Sequence, residues 1–182
     1  MKVLNLSNKK IFDIFLIFSL GLFFIFSFLS GDKALIFNSL CGFILLKLAQ
    51  DDLYNLSFDD KFFIPLIILS IIYFIFSFLR SRLDYWASIL SILFLFFYYI
   101  FSKLEKVPIG EGDLGVFALT FIYFKGLELF LYFFLTFLLA ALYILLEKMF
   151  GSVKSKIPLI PFIYLSFIIV SLWGEKLVGV IL

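Results

Sequence analysis

The sequence predicts an all-α protein, a polytopic membrane bundle of about seven transmembrane helices, one of them short, in a single domain over residues 1–182. Three observations predict this class. The 182 residues are 64% hydrophobic and 22% aromatic, with a mean hydropathy of +1.18. Only 15% are charged, against roughly a quarter in soluble domains. The charges fall between apolar runs, several of which approach the roughly 20 residues that a helix needs to cross a bilayer.

The composition also excludes several kinds of chemistry. The sequence has no histidine, so His-ligated metals and a Ser-His catalytic pair are excluded. The single cysteine, Cys41, permits no internal disulfide or CxxC pair, and we predict a thiol in the core. The net charge of +2 is too small to indicate a nucleic-acid surface. No cofactor or metal is expected, and acid–base work is left to carboxylates, lysine or tyrosine.

Each predicted helix corresponds to an apolar run. The first follows a lysine-rich start and has no small-residue cleavage site after it, so we interpret it as a mature span rather than a signal peptide. The second and third flank the acidic segment QDDLYNLSFDDK, and the fourth begins at Trp86. The last begins within a proline-containing segment. The predicted spans are 11–29, 34–49, 62–79, 86–101, 114–124, 127–146 and 157–173.

The fifth and sixth spans must be separated by a turn. Residues 114–147 would form a helix of about 51 Å at 1.5 Å per residue, whereas the hydrocarbon core is about 30 Å thick. Lys125 and Gly126 are the natural place for that turn. The fifth span is then only about 17 Å long. If its far end reaches the outer surface, Asp113 lies below the inner surface, within the membrane boundary.

Lysine and arginine positions predict the orientation. With the N-terminus in the cytoplasm, ten of the 15 basic residues fall on or near the inner side and five on the outer side. This topology brings the segment QDDLYNLSFDDK and the segment PIGEGD to the same cytoplasmic face.

Asp113 is the first candidate functional residue. A carboxylate at membrane depth is costly and usually marks a functional cavity. Gly110 and Gly112 allow close approach of a neighbouring helix or a bound peptide, because they carry no side chain. The alternative interpretation is structural, since aspartate before an apolar run is a common helix N-cap.

The acidic segment supplies the second candidate. Asp51 and Asp52 directly follow the second apolar run, at a helix C-terminus, whereas Asp59 and Asp60 also fit a solvated acidic loop. Two aspartates that meet can share a proton: one activates water while the other polarises the amide carbonyl. Helix dipoles would favour an ionised Asp113 and leave Asp52 as the proton carrier.

Two sequence blocks with this pattern resemble the type IV prepilin peptidases, which are bacterial membrane aspartyl proteases with a GxGD motif. GEGDLGVFAL resembles the GxGD block and implies that Asp113 is a catalytic aspartate. DLYNLSFDDKFFIPL is similar to the first aspartate block, which has a catalytic aspartate, an acid eight residues later and then a proline. That register implies Asp52 as catalytic, Asp60 as the following acid and Pro65 as the proline, and it leaves Asp51 outside the motif.

A third block, IPLIPFIYLSFIIVSLWGEKL, is similar to the last span of the family and carries Pro158 and Pro161. The resemblance covers roughly residues 34–177. The chain departs from the larger members because SGDK replaces their cysteine-rich insertion, and Gly115 stands where a lysine is common. We therefore expect peptidase activity without N-methylation. Presenilin-like proteases also carry GxGD, but their Tyr-Asp pair is not evident in the fourth span.

The resemblance implies a bacterial inner-membrane enzyme that serves type IV pili or protein secretion. Its substrates would be prepilin-like precursors, pilins or pseudopilins, cut on the cytoplasmic side between a short basic leader and a hydrophobic helix. An acidic rim could contact that leader. A proton- or cation-coupled transporter and a non-catalytic secretion-system partner are the alternatives. The possible leader contacts are Asp51, Asp59, Glu105 and Glu111.

Overall fold

Every regular element in the described part of the chain is an α-helix, so the predicted fold class is confirmed. The computed structural model describes residues 6–30, 33–55, 60–79, 85–101, 111–149 and 157–181. The helices are α1 (Leu6–Ser30), α2 (Lys33–Asn55), α3 (Asp60–Leu79), α4 (Tyr85–Phe101), α5 (Glu111–Phe121), α6 (Leu127–Met149) and α7 (Ile160–Ile181).

Four of these helices are long and apolar enough to cross a membrane: α2, α3, α6 and α7. Large apolar side chains on α1, α3, α4 and α6 are exposed along much of their length. In a water-soluble monomer such continuous apolar surface would be unusual. These exposed faces are suited to contact with lipid, and the chain is a membrane protein.

Two helices organise the bundle. α7 packs against α1, α2, α5 and α6, and α2 packs against α1, α3 and α7. The short helix α5 packs against α3, α4 and α7, and it is buried throughout 114–121. With 11 residues, it rises only about 16 Å. A helix of that length, enclosed by longer ones, is the short fifth helix that the sequence predicts.

Hydrogen bonds between side chains and neighbouring helices fix the packing within this apolar bundle. Interhelical bonds of this kind typically contribute about 0.6 kcal/mol each in membrane proteins. They join Tyr164 of α7 to the Leu16 carbonyl of α1 at 2.8 Å, Ser70 of α3 to the Leu119 carbonyl of α5 at 3.0 Å, and Thr120 of α5 to Tyr132 of α6 at 2.8 Å.

Several helix boundaries differ from the sequence prediction: α1 begins at Leu6 rather than at 11, and α7 spans Ile160–Ile181 rather than 157–173. Two further differences move candidate site residues. α2 continues to Asn55, six residues beyond the predicted end at Ala49, so Asp51 and Asp52 lie inside the helix. Hydropathy shows where the apolar run ends. A helix, however, can extend beyond that run, because its end depends on where the backbone hydrogen bonds stop. α5 begins at Glu111 rather than at Leu114. Asp113 therefore lies in the first turn and is not the residue that precedes the helix.

The predicted turn between the fifth and sixth spans is confirmed. Five residues, 122–126, separate α5 from α6, and Gly126 adopts a φ of 46°. A positive φ places the backbone in the left-handed region, which costs residues with a Cβ roughly 1–2 kcal/mol.

Gly126→Ala is expected to lower the free energy of unfolding by about 1 kcal/mol, because alanine meets that backbone strain. The space around Gly126 would accept a methyl group, so steric clash contributes nothing. Gly21→Ala is the matched control: Gly21 lies in α1, also in open space, with no positive φ. Thermal unfolding in detergent should show Gly126→Ala melting below the wild type and Gly21→Ala melting at or above it. Equal melting temperatures for the two variants would refute this account of the turn.

Candidate active site

Asp52 is a buried carboxylate held at the start of another helix. It lies in the last turn of α2 with 9% of its surface exposed. Its Oδ2 accepts a hydrogen bond from the backbone N–H of Ile160, the first residue of α7, at 3.1 Å. A carboxylate at a helix N-terminus satisfies an N–H that has no partner within its own helix. Asp52 thus caps the start of α7, although the two residues are 108 positions apart in the sequence. An N-cap side chain usually comes from the residue just before the helix.

The first turn of α7 needs a partner for only that one N–H. Pro161 has no N–H to satisfy. Phe162 and Ile163 both donate to the carbonyl of Leu159, at 3.0 and 3.1 Å. The buried Pro158 precedes this turn and the buried Pro161 lies within it. The two prolines therefore flank the segment that presents the Ile160 N–H to Asp52.

Asp51 differs from Asp52 in burial and direction. Successive residues of an α-helix point about 100° apart, given 3.6 residues per turn. Asp51 is half-buried, whereas Asp52 is buried against α7. Burial and the hydrogen bond to α7 therefore distinguish Asp52 from Asp51. In the sequence, only the alignment with the family's motif distinguishes the two.

The direction of α5 determines where Asp113 lies. Ser70 of α3 bonds to Leu119 of α5, and Tyr73, further along α3, stacks on Tyr123, just beyond the end of α5, with ring centroids 4.3 Å apart. Residue numbers rise together along both helices, so α5 runs parallel to α3. Asp113 is therefore displaced from Leu119 towards the start of α3, by about 9 Å at 1.5 Å per residue.

The starts of α3, α5 and α7 lie at the end of the bundle where α2 finishes. We call this the aspartate end: the last turn of α2 with Asp52 and the first turns of α3, α5 and α7. α7 begins against Asp52. α3 begins at Asp60, five residues after α2 ends at Asn55. Asp113, half-buried in the first turn of α5, shares this end.

Asp52 and Asp113 thus lie at the same end of the bundle, on helices connected through common neighbours. α3 packs against both α2 and α5, and α7 does the same. The two carboxylates that the sequence singled out therefore share one end of the bundle, one inside the last turn of α2 and one inside the first turn of α5. Gly112 immediately precedes Asp113 within α5.

The other predicted site residues have mixed outcomes. Pro65 lies inside α3 but is exposed, so its side chain does not face the core of the bundle. Asp60 begins α3 and Glu111 begins α5, which places both at the aspartate end, although their side chains are not described. Gly110, Asp59 and Glu105 lie outside the described residues.

Two helix ends act on Asp52, whereas the expectation that it carries the shared proton rests on only one of them. Asp52 lies in the last turn of α2, which disfavours a negative charge, but it also accepts the N–H at the start of α7, which favours one. Because the two helix ends oppose each other at Asp52, helix dipoles do not assign the shared proton to it. Asp113 lies in the first turn of α5, where a helix dipole favours a negative charge.

The sequence interpretation missed Asp13. This half-buried carboxylate on α1 accepts hydrogen bonds from Gln50 Nε2 and, at 3.3 Å, from the Tyr54 hydroxyl on α2. Lys47 donates to Gln50 Oε1 at 3.1 Å. The cluster therefore adjoins Asp51 and Asp52 along α2. The sequence feature that could have indicated Asp13 is that it is the one charged residue within the predicted span 11–29.

Within the described ranges, no group of three or more cysteine, aspartate and glutamate side chains is arranged to hold a metal ion. No protein-family model matches the sequence, and no significant match is found among curated proteins or solved structures.

Proposed function

We propose that the protein is a membrane aspartyl endopeptidase that uses Asp52 and Asp113 to hydrolyse a peptide bond. The observation that carries the proposal is the placement of a buried Asp52 and a half-buried Asp113 at one end of an apolar bundle. Carboxylates at membrane depth are costly and are usually retained for function. Their sequence context, which resembles that of the type IV prepilin peptidases, supports the same chemistry.

The proposed reaction needs one ionised and one protonated carboxyl group. The ionised aspartate removes a proton from water while the resulting hydroxide attacks the scissile carbonyl carbon. The protonated aspartate gives its proton to the carbonyl oxygen, forming a neutral tetrahedral diol. When the C–N bond breaks, a proton passes to the leaving nitrogen and the new carboxyl group forms. The pair then again holds one proton, so two titrating groups act as one unit.

The proposed substrate is a prepilin-like precursor with a short basic leader followed by a hydrophobic helix. An apolar helix can lie against the exposed faces of the bundle in the bilayer, which aligns its polar end with the aspartate end. Asp51 and the acids at 59, 60, 105 and 111 would attract the basic leader. The cut would then fall between leader and helix, and we place this end at the cytoplasmic side of a bacterial inner membrane.

The test is cleavage of such a precursor by the purified protein reconstituted in liposomes. We expect two products that separate leader from helix, with the released leader identified by mass. The control for contaminating proteases is a precursor in which the four residues around the cut are replaced by proline and glycine. Failure to cut any leader-bearing precursor, with the protein shown to be folded, would reject the proposal.

Cleavage of a basic leader is expected to slow as salt rises, because salt screens attraction between exposed charges beyond about 10 Å at 0.1 M. Cleavage rates at 50 and 500 mM NaCl would measure the effect at low substrate concentration. A precursor with a neutral leader is the control and should respond less. If both precursors respond equally, the acidic rim does not steer the leader.

A proton- or cation-coupled transporter is a second candidate, favoured by the Asp13, Gln50 and Lys47 cluster within the bundle. Linked polar groups at membrane depth can carry ions as well as catalyse reactions. The same liposomes distinguish the two functions when loaded with a pH-sensitive dye. A proton flux that requires Asp13, without precursor cleavage, would favour transport.

A further inference from the structure

A polar cavity of about 520 Å³ lies at the end of the bundle opposite the aspartate end. Its walls come from the start of α2, the end of α3, the turn between α5 and α6, the start of α6 and the last turns of α7. The volume falls within the range of about 300–1,000 Å³ typical of small-molecule sites. The cavity is remote from the proposed active site, so its function does not depend on the peptidase proposal.

A buried polar side chain on its wall, Asn38, has unused hydrogen-bonding capacity. Asn38 is 6% exposed, and its Nδ2 donates to Ser171 Oγ at 3.2 Å, while its Oδ1 has no partner among the described residues. Turning the amide over would leave its nitrogen unpaired instead. Buried polar atoms are normally paired, so this amide points to a ligand in the cavity.

The charges of the cavity are arranged by depth. Glu128 is half-buried in the first turn of α6, and its Oε2 accepts a hydrogen bond from the backbone of Lys125 at 3.4 Å. Its side chain packs against Gly174, where an added Cβ would lie 3.1 Å from Oε1. Lys125, Lys176 and a second carboxylate, Glu175, are exposed at the rim. The more deeply buried charge is thus a carboxylate and both ammonium groups lie at the rim, a pattern that complements a ligand with an inward cation and an outward anion. Glu175 adds negative charge at the opening.

Aromatic residues place this end at the level of lipid headgroups. Both tryptophans of the chain are exposed in this half of the bundle: Trp86 follows the exposed Tyr85 at the start of α4, and Trp173 lies in the second half of α7 beside the cavity-lining Gly174. Tryptophan and tyrosine concentrate at membrane–water interfaces. The cavity therefore opens where phospholipid headgroups are abundant.

We infer that this cavity binds a primary ammonium joined to a phosphate, the chemistry of a phosphoethanolamine headgroup. Glu128 and the amide of Asn38 receive the ammonium, and Lys125 and Lys176 contact the phosphate. The same chemistry occurs in phosphatidylethanolamine and in soluble phosphoethanolamine, and the lipid is the source closest to the opening.

Native mass spectrometry of the purified full-length protein tests this inference. Phosphatidylethanolamine and phosphatidylglycerol with identical acyl chains are added in equal amounts. The wild type is expected to retain the ethanolamine lipid about tenfold more tightly, equivalent to about 1.4 kcal/mol. Glu128→Gln should abolish that preference. Glu147→Gln is the matched control, because Glu147 lies at the far end of α6 and accepts a hydrogen bond from Tyr143. The Glu147→Gln variant should still prefer phosphatidylethanolamine.

Two further arms complete the test. Glu175→Gln removes an exposed carboxylate from the same wall and should weaken the preference even if Glu128→Gln does not fold. Soluble O-phosphoethanolamine that displaces the lipid would show that the headgroup alone is recognised. Failure to displace it, with the Glu128 dependence intact, would assign the site to the lipid. Equal retention of both lipids by the wild type, or an unchanged preference in both glutamate variants, would overturn the inference.

Discussion

Asp113→Asn should lower kcat/KM for precursor cleavage by at least about 100-fold, since a positioned acid or base typically contributes 10²–10⁴-fold. Asparagine has nearly the same shape as aspartate but can neither take a proton from water nor donate a carboxylic proton. Asp113 lies inside the first turn of α5, whose following residues 114–121 are buried. The substitution therefore changes the chemistry at a position whose backbone is fixed by the packing of α5.

Asp51→Asn is the control for Asp113→Asn, because it also neutralises a half-buried carboxylate at the aspartate end. We expect it to change cleavage only modestly, through weaker attraction of the leader. Thermal unfolding of each variant verifies that the fold is intact. If folded Asp113→Asn cleaves at the wild-type rate, Asp113 is not a catalytic residue and the paired-carboxylate mechanism fails.

The second large effect distinguishes the catalytic role of Asp52 from its structural role. Asparagine can still accept the Ile160 N–H through its amide oxygen, whereas alanine cannot. Both Asp52→Asn and Asp52→Ala should lose cleavage by at least about 100-fold. Only Asp52→Ala should also lose stability, by about 0.5–2 kcal/mol, the usual cost of removing a helix cap.

Denaturant unfolding measures the stability of each variant, and kcat measured on the same preparations gives its activity. An active Asp52→Asn would show that Asp52 serves only as a cap for α7, and Asp51 would then be the next aspartate to test. Loss of stability in Asp52→Asn equal to that in Asp52→Ala would contradict the cap geometry. The expected pattern is a stable, inactive asparagine variant beside a less stable, inactive alanine variant.

Comparing the lengths of the apolar runs with the thickness of the bilayer predicted the short fifth helix and the turn that follows it. The run from 114 to 147 was too long for one span, and this indicated both the short α5 and the turn at Gly126, which has the positive φ that glycine favours. Hydropathy failed at the end of α2, because the acids at 51 and 52 end the apolar run without ending the helix.

The contacts around the candidate site are less accessible from sequence. The hydrogen bond from Ile160 to Asp52 joins residues 108 apart, and no local pattern specifies which helix start a distant carboxylate will reach. The bonds from Gln50 and Tyr54 to Asp13 likewise cross between helices. Residue types and spacing could suggest the carboxylates, but their partners depend on how the helices pack.

The most direct test of the central claim is cleavage of one leader-bearing precursor by purified wild type, Asp52→Asn and Asp113→Asn in parallel, with intact masses locating the cut. The account predicts that the wild type cuts once between leader and hydrophobic helix, and that both folded variants leave the precursor whole. Cleavage at that bond by either variant at the wild-type rate would contradict the claim that these two aspartates perform the hydrolysis.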